Sequence, residues 1–281
     1  MSEIYTIKTN DKIEFKDIYD NLAINYQNLS AIKEDDNCVF FYLNGMSIRG
    51  VYIYLKNIGF EIKCNVLSNK YDLVLANEII KYINKNVNGK VYDEENRLLK
   101  DNEYIDKQKI ENNFARDLET IFKFIGGTGD TIEFPGTTRS FFIGKKLYST
   151  YKDFNKNVLL KVFQNTILNV LYDLPDYYEC SPMGAESKEE GKIIKLKSIS
   201  SNSDYIIQDY DFIIISDEEQ NNNKELIMIS VNKIYEILPS KWKIVDESTI
   251  VAHKLTENEW KQFVQICLKN NCYNEFKEKA K

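Results

Sequence analysis

The chain has 281 residues, of which 43% are hydrophobic and 13% aromatic, and its formal net charge at pH 7 is -6. This composition excludes an intrinsically disordered protein, because the apolar residues suffice for a substantial core. The negative charge disfavours a general nucleic-acid binder, which needs many Lys and Arg side chains to contact the phosphates.

The N-terminal residues and the cysteines predict the cellular compartment of the protein. Residues 1–8 lack a basic region followed by an apolar one, and no apolar run in the sequence is long enough to cross a bilayer. The five cysteines are irregularly spaced, at Cys38, Cys64, Cys180, Cys267 and Cys272. We therefore expect a soluble cytoplasmic protein with reduced thiols, no disulfide framework and no membrane partner.

The first third of the chain is predicted to form strands. Apolar runs at residues 38–43 and 47–55 indicate two strands, and residues 60–66 alternate apolar and polar side chains, which indicates a third. Residues 57–59 supply a turn. We therefore expect an antiparallel meander with one face on a core.

Two amphipathic helices are predicted next. Ser68 caps the first, whose apolar residues recur at helical spacing until Gly89 ends it. The second carries a buried stripe over residues 110–125, and the glycine pair at 126–127 is its expected end.

The remainder of the chain is predicted to return to strands after one more helix. That helix covers residues 159–171 and ends before Pro175, and a surface loop over 177–191 follows it. The predicted strands are 193–199, 205–215, 225–231 and 242–245. The final helix begins with a capping box formed by Thr256 and Glu259, and its closing residues are expected to fray.

The order of these elements predicts the fold class. Strands and helices are clustered rather than alternating, which indicates an α+β fold with antiparallel sheets and packed amphipathic helices. The glycine-rich segment 126–144 separates the two clusters. We therefore expect two lobes, residues 1–125 and 126–281, or alternatively one continuous domain.

Segment 126–144 evokes phosphate-binding loops, because it holds five of the eleven glycines. It matches neither the P-loop motif nor the dinucleotide-binding fingerprint. A P-loop has Ser or Thr after its Gly-Lys pair, whereas two lysines follow Gly144. A dinucleotide fingerprint opens a helix, whereas Gly129 precedes a predicted strand. We therefore expect no nucleotide cofactor.

A sharp turn at Pro135 and Gly136 remains, and it carries Thr137, Thr138 and Arg139. The Pro-Gly pair predicts a type II turn. A guanidinium beside two hydroxyls at such a turn can bind a carboxylate or phosphate. The alternative is an ordinary hairpin whose arginine pairs with a nearby acid.

Arg49 is the second candidate cation. It is predicted to lie on a strand beside Gly50, which permits close backbone approach or a bulge, so that the guanidinium points at a ligand or at the other lobe. The alternative is a solvated strand residue. The candidate ligand-binding or partner-binding residues are therefore Arg139, Thr137, Thr138 and Arg49.

No catalytic residue and no metal site is predicted. His253 is the only histidine, and no nucleophile is recognisable beside it, so we expect a structural role. Cys267 and Cys272 lack the companion ligands that zinc requires. Three acidic clusters, at 35–36, 93–95 and 217–219, fall in predicted loops, the last at an exposed hairpin tip over 217–224. Solvated surface charge is the expectation for all three.

Four short stretches of the sequence carry a resemblance to other proteins. They are Ser47-Ile-Arg-Gly-Val-Tyr, Ser68-Asn-Lys-Tyr-Asp-Leu, the segment 136–144 and the segment 245–252. Together they resemble an uncharacterised family of bacterial cytosolic proteins, and the resemblance covers nearly the whole chain. It implies a bacterial accessory protein of the kind found near polymorphic toxin or defence genes, and it transfers no catalytic residue.

These features predict a non-enzymatic accessory protein that binds another protein, such as an immunity protein or a defence-associated regulator. One alternative is a small-ligand binder or enzyme that uses Arg139 and Arg49 for an anionic substrate, with both guanidinium groups facing one pocket. Another is a nucleic-acid binder with a local basic patch.

Overall fold

The computed structural model describes residues 2–100, 104–216 and 226–281. The chain divides into two compact units, Met1–Asp173 and Leu174–Lys281. This division differs from the predicted boundary after residue 125, because residues 126–173 hydrogen-bond and pack within the first unit. Both units combine sheets with helices, which confirms the α+β class. The acidic cluster 217–219 and the hairpin tip 217–224 lie outside the described residues.

Six strands form the main sheet of the first unit. They are β1 (Glu3–Lys8), β2 (Leu29–Asp35), β3 (Cys38–Leu43), β4 (Val51–Lys56), β5 (Gly59–Cys64) and β6 (Lys90–Tyr92). Their spatial order is β2-β3-β4-β5-β1-β6, and every neighbouring pair is antiparallel. Strands β3, β4 and β5 confirm the predicted meander, whereas β1, β2 and β6 add strands that were not predicted.

The first unit also contains a set of helices. They are α1 (Phe15–Ala23), α2 (Lys70–Asn86), α3 (Lys107–Thr128), α4 (Lys145–Tyr151) and α5 (Lys156–Leu168), which continues as a π-helical turn, Asn169–Asp173. Helices α2, α3 and α5 confirm the predicted ones. The apolar stripe of α2 packs on one face of the six-stranded sheet, where Phe41, Ile53 and Ile62 are fully buried.

Two helix boundaries differ from the prediction. Asn69, not Ser68, caps α2, because its side chain accepts from the backbone N–H of Asp72 while the Asp72 carboxylate accepts from the N–H of Asn69. Helix α3 runs through Gly126 and Gly127 and ends at Thr128, and Gly129, with φ 76°, caps it. A helical glycine costs only about 1 kcal/mol, so packing of the helix face outweighs it.

A two-stranded hairpin follows α3 and consists of β7 (Ile132–Pro135) and β8 (Ser140–Ile143). The predicted type II turn was wrong, since Pro135 belongs to β7 and the φ of Gly136 is not in the left-handed region that such a turn needs. Glycine is needed here for a different reason. A Cβ at position 136 would lie 2.3 Å from the Leu171 side chain.

The second unit contains two four-stranded sheets. Its strands are β9 (Tyr178–Glu179), β10 (Met183–Glu186), β11 (Ile193–Ser200), β12 (Tyr205–Ile207), β13 (Phe212–Ser216), β14 (Ile227–Ser230), β15 (Lys243–Ile244) and β16 (Ile250–Ala252). The sheet orders are β10-β11-β13-β14 and β15-β16-β12-β9. The pairs β11–β13 and β12–β9 are parallel and the others antiparallel, so both sheets are mixed.

Helices α6 (Val231–Ile237), α7 (Glu257–Lys269) and α8 (Tyr273–Lys279) complete the second unit. The capping box of Thr256 and Glu259 is confirmed at the start of α7. The predicted strand 205–215 is two strands, interrupted where Asp209 has φ 52°. The closing residues do not fray, because they form α8 and its Phe276 packs on an apolar cluster of the sheet.

Candidate functional site

Arg49 lies in the loop between β3 and β4, not on a strand as predicted. Its side chain is 8% exposed, its Nη1 donates to the carbonyl of Pro135, and the guanidinium carbon lies 5.7 Å from the centre of the Phe134 ring. Burial lowers the pKa of Arg49, and the nearby Asp72 carboxylate opposes that shift. The guanidinium therefore ties the loop to the β7–β8 hairpin.

Asp72 holds this loop in place from within the core. Its fully buried carboxylate accepts from the backbone N–H groups of Arg49 at 3.0 Å, of Gly50 at 3.0 Å and of Ile48 at 3.3 Å. Burial raises the pKa of Asp72, and the hydrogen bonds from Arg49 and Gly50 oppose the rise. Asp72 was not predicted as a site residue, although the pair Asn69 and Asp72 has the spacing of a capping box.

The two threonines of the hairpin also bond within the unit. The hydroxyl oxygens of Thr137 and Tyr172 lie 2.6 Å apart, and the Tyr172 hydroxyl donates to the carbonyl of Ser47 at 2.8 Å. The Thr138 hydroxyl donates to the carbonyl of Leu171. These contacts join the hairpin to the β3–β4 loop and to the end of α5.

We call the set of Arg49, Asp72, Thr137, Thr138 and Tyr172 the hairpin junction. The structure thus brings Arg49, Thr137 and Thr138 together. Arg139 is half-buried at the end of the hairpin loop, and its carbonyl accepts from the N–H of Gly136 at 3.0 Å. Both arginines belong to the first unit, whereas the predicted lobes separated them.

The other polar candidates have local partners. The Nδ1 of His253 lies 2.8 Å from the Tyr177 hydroxyl, and the His253 carbonyl accepts from Trp242 Nε1. Cys267 is fully buried, and burial raises its thiol pKa to about 12. Within residues 2–100, 104–216 and 226–281, no three His, Cys, Asp or Glu side chains are placed to share a metal ion.

A second feature lies on the face of the six-stranded sheet that is turned away from the α2 core. Phe40 and Tyr42 of β3 and Tyr52 and Tyr54 of β4 point to this face, and Phe40 is directly opposite Tyr52 in the ladder. Ring centres are 5.5 Å apart for Phe40 and Tyr42, 4.6 Å for Phe40 and Tyr52, and 6.0 Å for Tyr52 and Tyr54. We call these four side chains the aromatic row.

One ring of the row is buried and the other three are partly exposed. Phe40 is 4% exposed, whereas the three tyrosines are partly exposed. Burial raises the pKa of Tyr52 and of Tyr54. A tyrosine hydroxyl is protonated at neutral pH and can donate a hydrogen bond. The alternation Phe-x-Tyr and Tyr-x-Tyr was visible in the sequence, but the face to which it points was not.

Charged side chains of both signs lie beside the row toward β5. Lys56 lies 4.9 Å above the Tyr54 ring and 3.7 Å from the Glu61 carboxylate. Lys63 is opposite Tyr52 in the ladder between β4 and β5. On the other side, Ile32 of the edge strand β2 is opposite Phe40 and is 43% exposed, so it extends the apolar part of this face.

Comparison of the chain with protein-family models, with curated proteins and with solved structures finds no match. The resemblance to a bacterial accessory family therefore stays a prediction. Across the described residues, every helix is too short or too polar to span a lipid bilayer.

Proposed function

We propose that the protein is a non-enzymatic accessory protein that binds another protein through the aromatic row. The observation that carries the proposal is the continuous stack of Phe40, Tyr42, Tyr52 and Tyr54 on an accessible sheet face. Tyrosine is enriched at the energetic centres of protein interfaces, since it offers a large apolar ring and a hydroxyl with little conformational freedom to lose.

The hairpin junction favours this function over an enzyme that uses the two arginines for an anion. The Arg49 guanidinium is buried and donates to a carbonyl, and the Thr137 and Thr138 hydroxyls bond within the unit. A group that holds two segments together is not available to a substrate without breaking that contact.

The charges near the row favour a protein over a nucleic acid. Single-stranded nucleic acids also stack on exposed rings, but a basic groove must hold their phosphates. Here Lys56 is close to Glu61, and the chain carries a net charge of -6. A partner with a basic surface fits this overall charge. The family resemblance implies that the accessory role is in immunity or defence.

The test is to recover a partner from the native host with the tagged chain and then to measure its affinity by calorimetry. We expect Tyr52→Ser with Tyr54→Ser to weaken binding by about 30-fold or more, because truncation of an interface hot spot costs roughly 2 kcal/mol or more. Tyr178→Ser is the matched control, since Tyr178 is 58% exposed on β9 in the second unit.

Two outcomes would contradict the proposal. Unchanged affinity in the double variant, with a far-UV circular dichroism spectrum like that of the parent, would remove the row from the interface. Tight binding of a labelled single-stranded oligonucleotide that the double variant loses would assign the row to nucleic acid instead.

A further inference from the structure

An open cavity of about 440 Å³ lies between α3, α4 and the start of α5. This volume is within the range of about 300–1,000 Å³ that small-molecule pockets occupy. Most of its lining is apolar and comes from Ala115, Leu118, Phe122, Tyr148, Phe154, Leu159 and Leu160. The cavity is separate from the aromatic row, so a ligand bound in it would be independent of the proposed function.

Aromatic contacts and the close approach of α3 and α4 form the wall of this cavity. Phe122 makes edge-to-face contacts with Tyr148 and with Phe163, each with ring centres 5.5 Å apart. Gly126 lets α4 approach α3, because a Cβ there would lie 3.1 Å from the Tyr148 hydroxyl. On the open side, Phe154 is 42% exposed, which leaves apolar surface at the mouth.

The rim of the cavity is basic. It carries the ammonium groups of Lys123, Lys152 and Lys156 and a single carboxylate, that of Glu119. Lys123 lies 3.0 Å from Glu119, and its hydrogen bond lowers the pKa of that carboxyl, with a smaller contribution from Lys156. The rim therefore has a net positive charge in a chain whose overall charge is negative.

From this combination of an apolar wall and a basic rim, we propose that the cavity binds a small apolar-tailed anion with a single carboxylate head. The tail lies along Leu118, Phe122 and Leu159, and the head contacts Lys152 and Lys156. Burial of the tail supplies most of the affinity, while the ammonium groups select the sign of the head. The size of the cavity favours a small molecule over a protein segment.

The probe is decanoate, used below its micelle-forming concentration and titrated into the full chain by calorimetry and by methyl-detected NMR. We expect saturable shifts at Leu118, Leu159 and Leu160. Decylammonium, which has a similar tail and the opposite head charge, should bind at least about tenfold more weakly. Lys152→Gln with Lys156→Gln should weaken decanoate binding by about tenfold.

Lys161→Gln is the matched control, because this exposed lysine lies on α5 but does not line the cavity. It should leave decanoate binding unchanged. The substituted lysines are exposed, so the variants should fold like the parent.

Several results would overturn the proposal. Decanoate could cause no NMR shifts at the residues that line the cavity. Decanoate and decylammonium could bind with equal affinity. The double lysine variant could bind decanoate as tightly as the parent. An acidic amphipathic peptide that binds the cavity more tightly than decanoate would assign it to a protein segment. Shifts that appear on concentrating the chain without a probe, together with a dimer in sedimentation, would assign it to a second copy.

Discussion

The hairpin junction and the aromatic row lie close together in the sequence, since Arg49 is three residues before Tyr52, yet their side chains have different surroundings. In the junction, Arg49 and Thr137 are buried and bond to a carbonyl or hydroxyl of the same unit. In the row, Tyr52 and Tyr54 stack on a sheet face and remain partly exposed.

This difference shows that residue type alone does not identify a binding residue. Arginine and tyrosine are both enriched at interfaces, but a side chain can serve a partner only where its own fold does not already use its polar groups. The glycine-rich segment brings the Pro135 carbonyl to the Arg49 guanidinium, which gives Arg49 a structural role. Strand pairing leaves the tyrosine rings on a face where they are partly exposed. Four variants test this comparison.

The largest effect is expected for Asp72→Ala in the junction. The change leaves several buried backbone N–H groups without an acceptor, so we expect a loss of about 4 kcal/mol in the free energy of unfolding. Urea denaturation followed by far-UV circular dichroism measures it. Asp36→Ala, at an exposed carboxylate paired with Lys33, should leave the free energy of unfolding unchanged. A loss below about 1 kcal/mol for Asp72→Ala would mean that other contacts hold the loop.

The next effect is expected for Gly136→Ala at the hairpin. The new Cβ would meet the Leu171 side chain at 2.3 Å and the Arg139 carbonyl oxygen at 2.5 Å, so we expect a loss of about 2–3 kcal/mol from overpacking. The matched control is Gly127→Ala, where no atom lies within 4 Å of the new Cβ. Because Gly127 is helical, that change should stabilise the protein by about 0.5 kcal/mol. Equal melting temperatures for the two variants would contradict the close packing.

A smaller effect is expected for Arg49→Met. It removes the donor to the Pro135 carbonyl but keeps much of the apolar side chain, so we expect a loss of about 1–2 kcal/mol in denaturant unfolding. Arg97→Met is the control, since Arg97 is 69% exposed and pairs with Asp93 at the surface. If Arg49→Met left stability unchanged, its guanidinium would be available to a ligand, and the comparison between the two regions would fail.

The smallest effect on stability is expected for Tyr54→Ser in the aromatic row. The ring is partly exposed and stacks on Tyr52, so its loss should cost about 1 kcal/mol or less in the same denaturation experiment. A much larger loss would show that the row supports the fold in the way the junction does, and would weaken the proposal that it serves a partner.

The sequence predicted the local elements well where a pattern is self-contained. The alternation over residues 60–66 identified β5, and the capping box at Thr256 identified the start of α7. Helix α3 passes its predicted glycine stop because Tyr148, far along the chain, packs against Gly126. That contact is a property of the folded unit, and no local rule contains it.

The candidate site was harder to predict for the same reason. The sequence placed a cation at Arg49 and hydroxyls at Thr137 and Thr138, and the structure does bring these together. It could not indicate that the Pro135 carbonyl meets the guanidinium, or that Asp72 lies beneath the loop. The aromatic row and the basic rim of the α3–α5 cavity depend on which strand faces and helix faces remain uncovered, which only the tertiary structure determines.

Site-specific photo-crosslinking in the native host tests whether the aromatic row, and not the hairpin junction, contacts a partner. The photoreactive residue p-benzoylphenylalanine is placed at position 54 in the aromatic row or at position 138 in the hairpin loop, and adducts are read by mass spectrometry after irradiation. We expect a protein adduct of defined mass from position 54 and none from position 138. An adduct from position 138 with none from position 54 would contradict it.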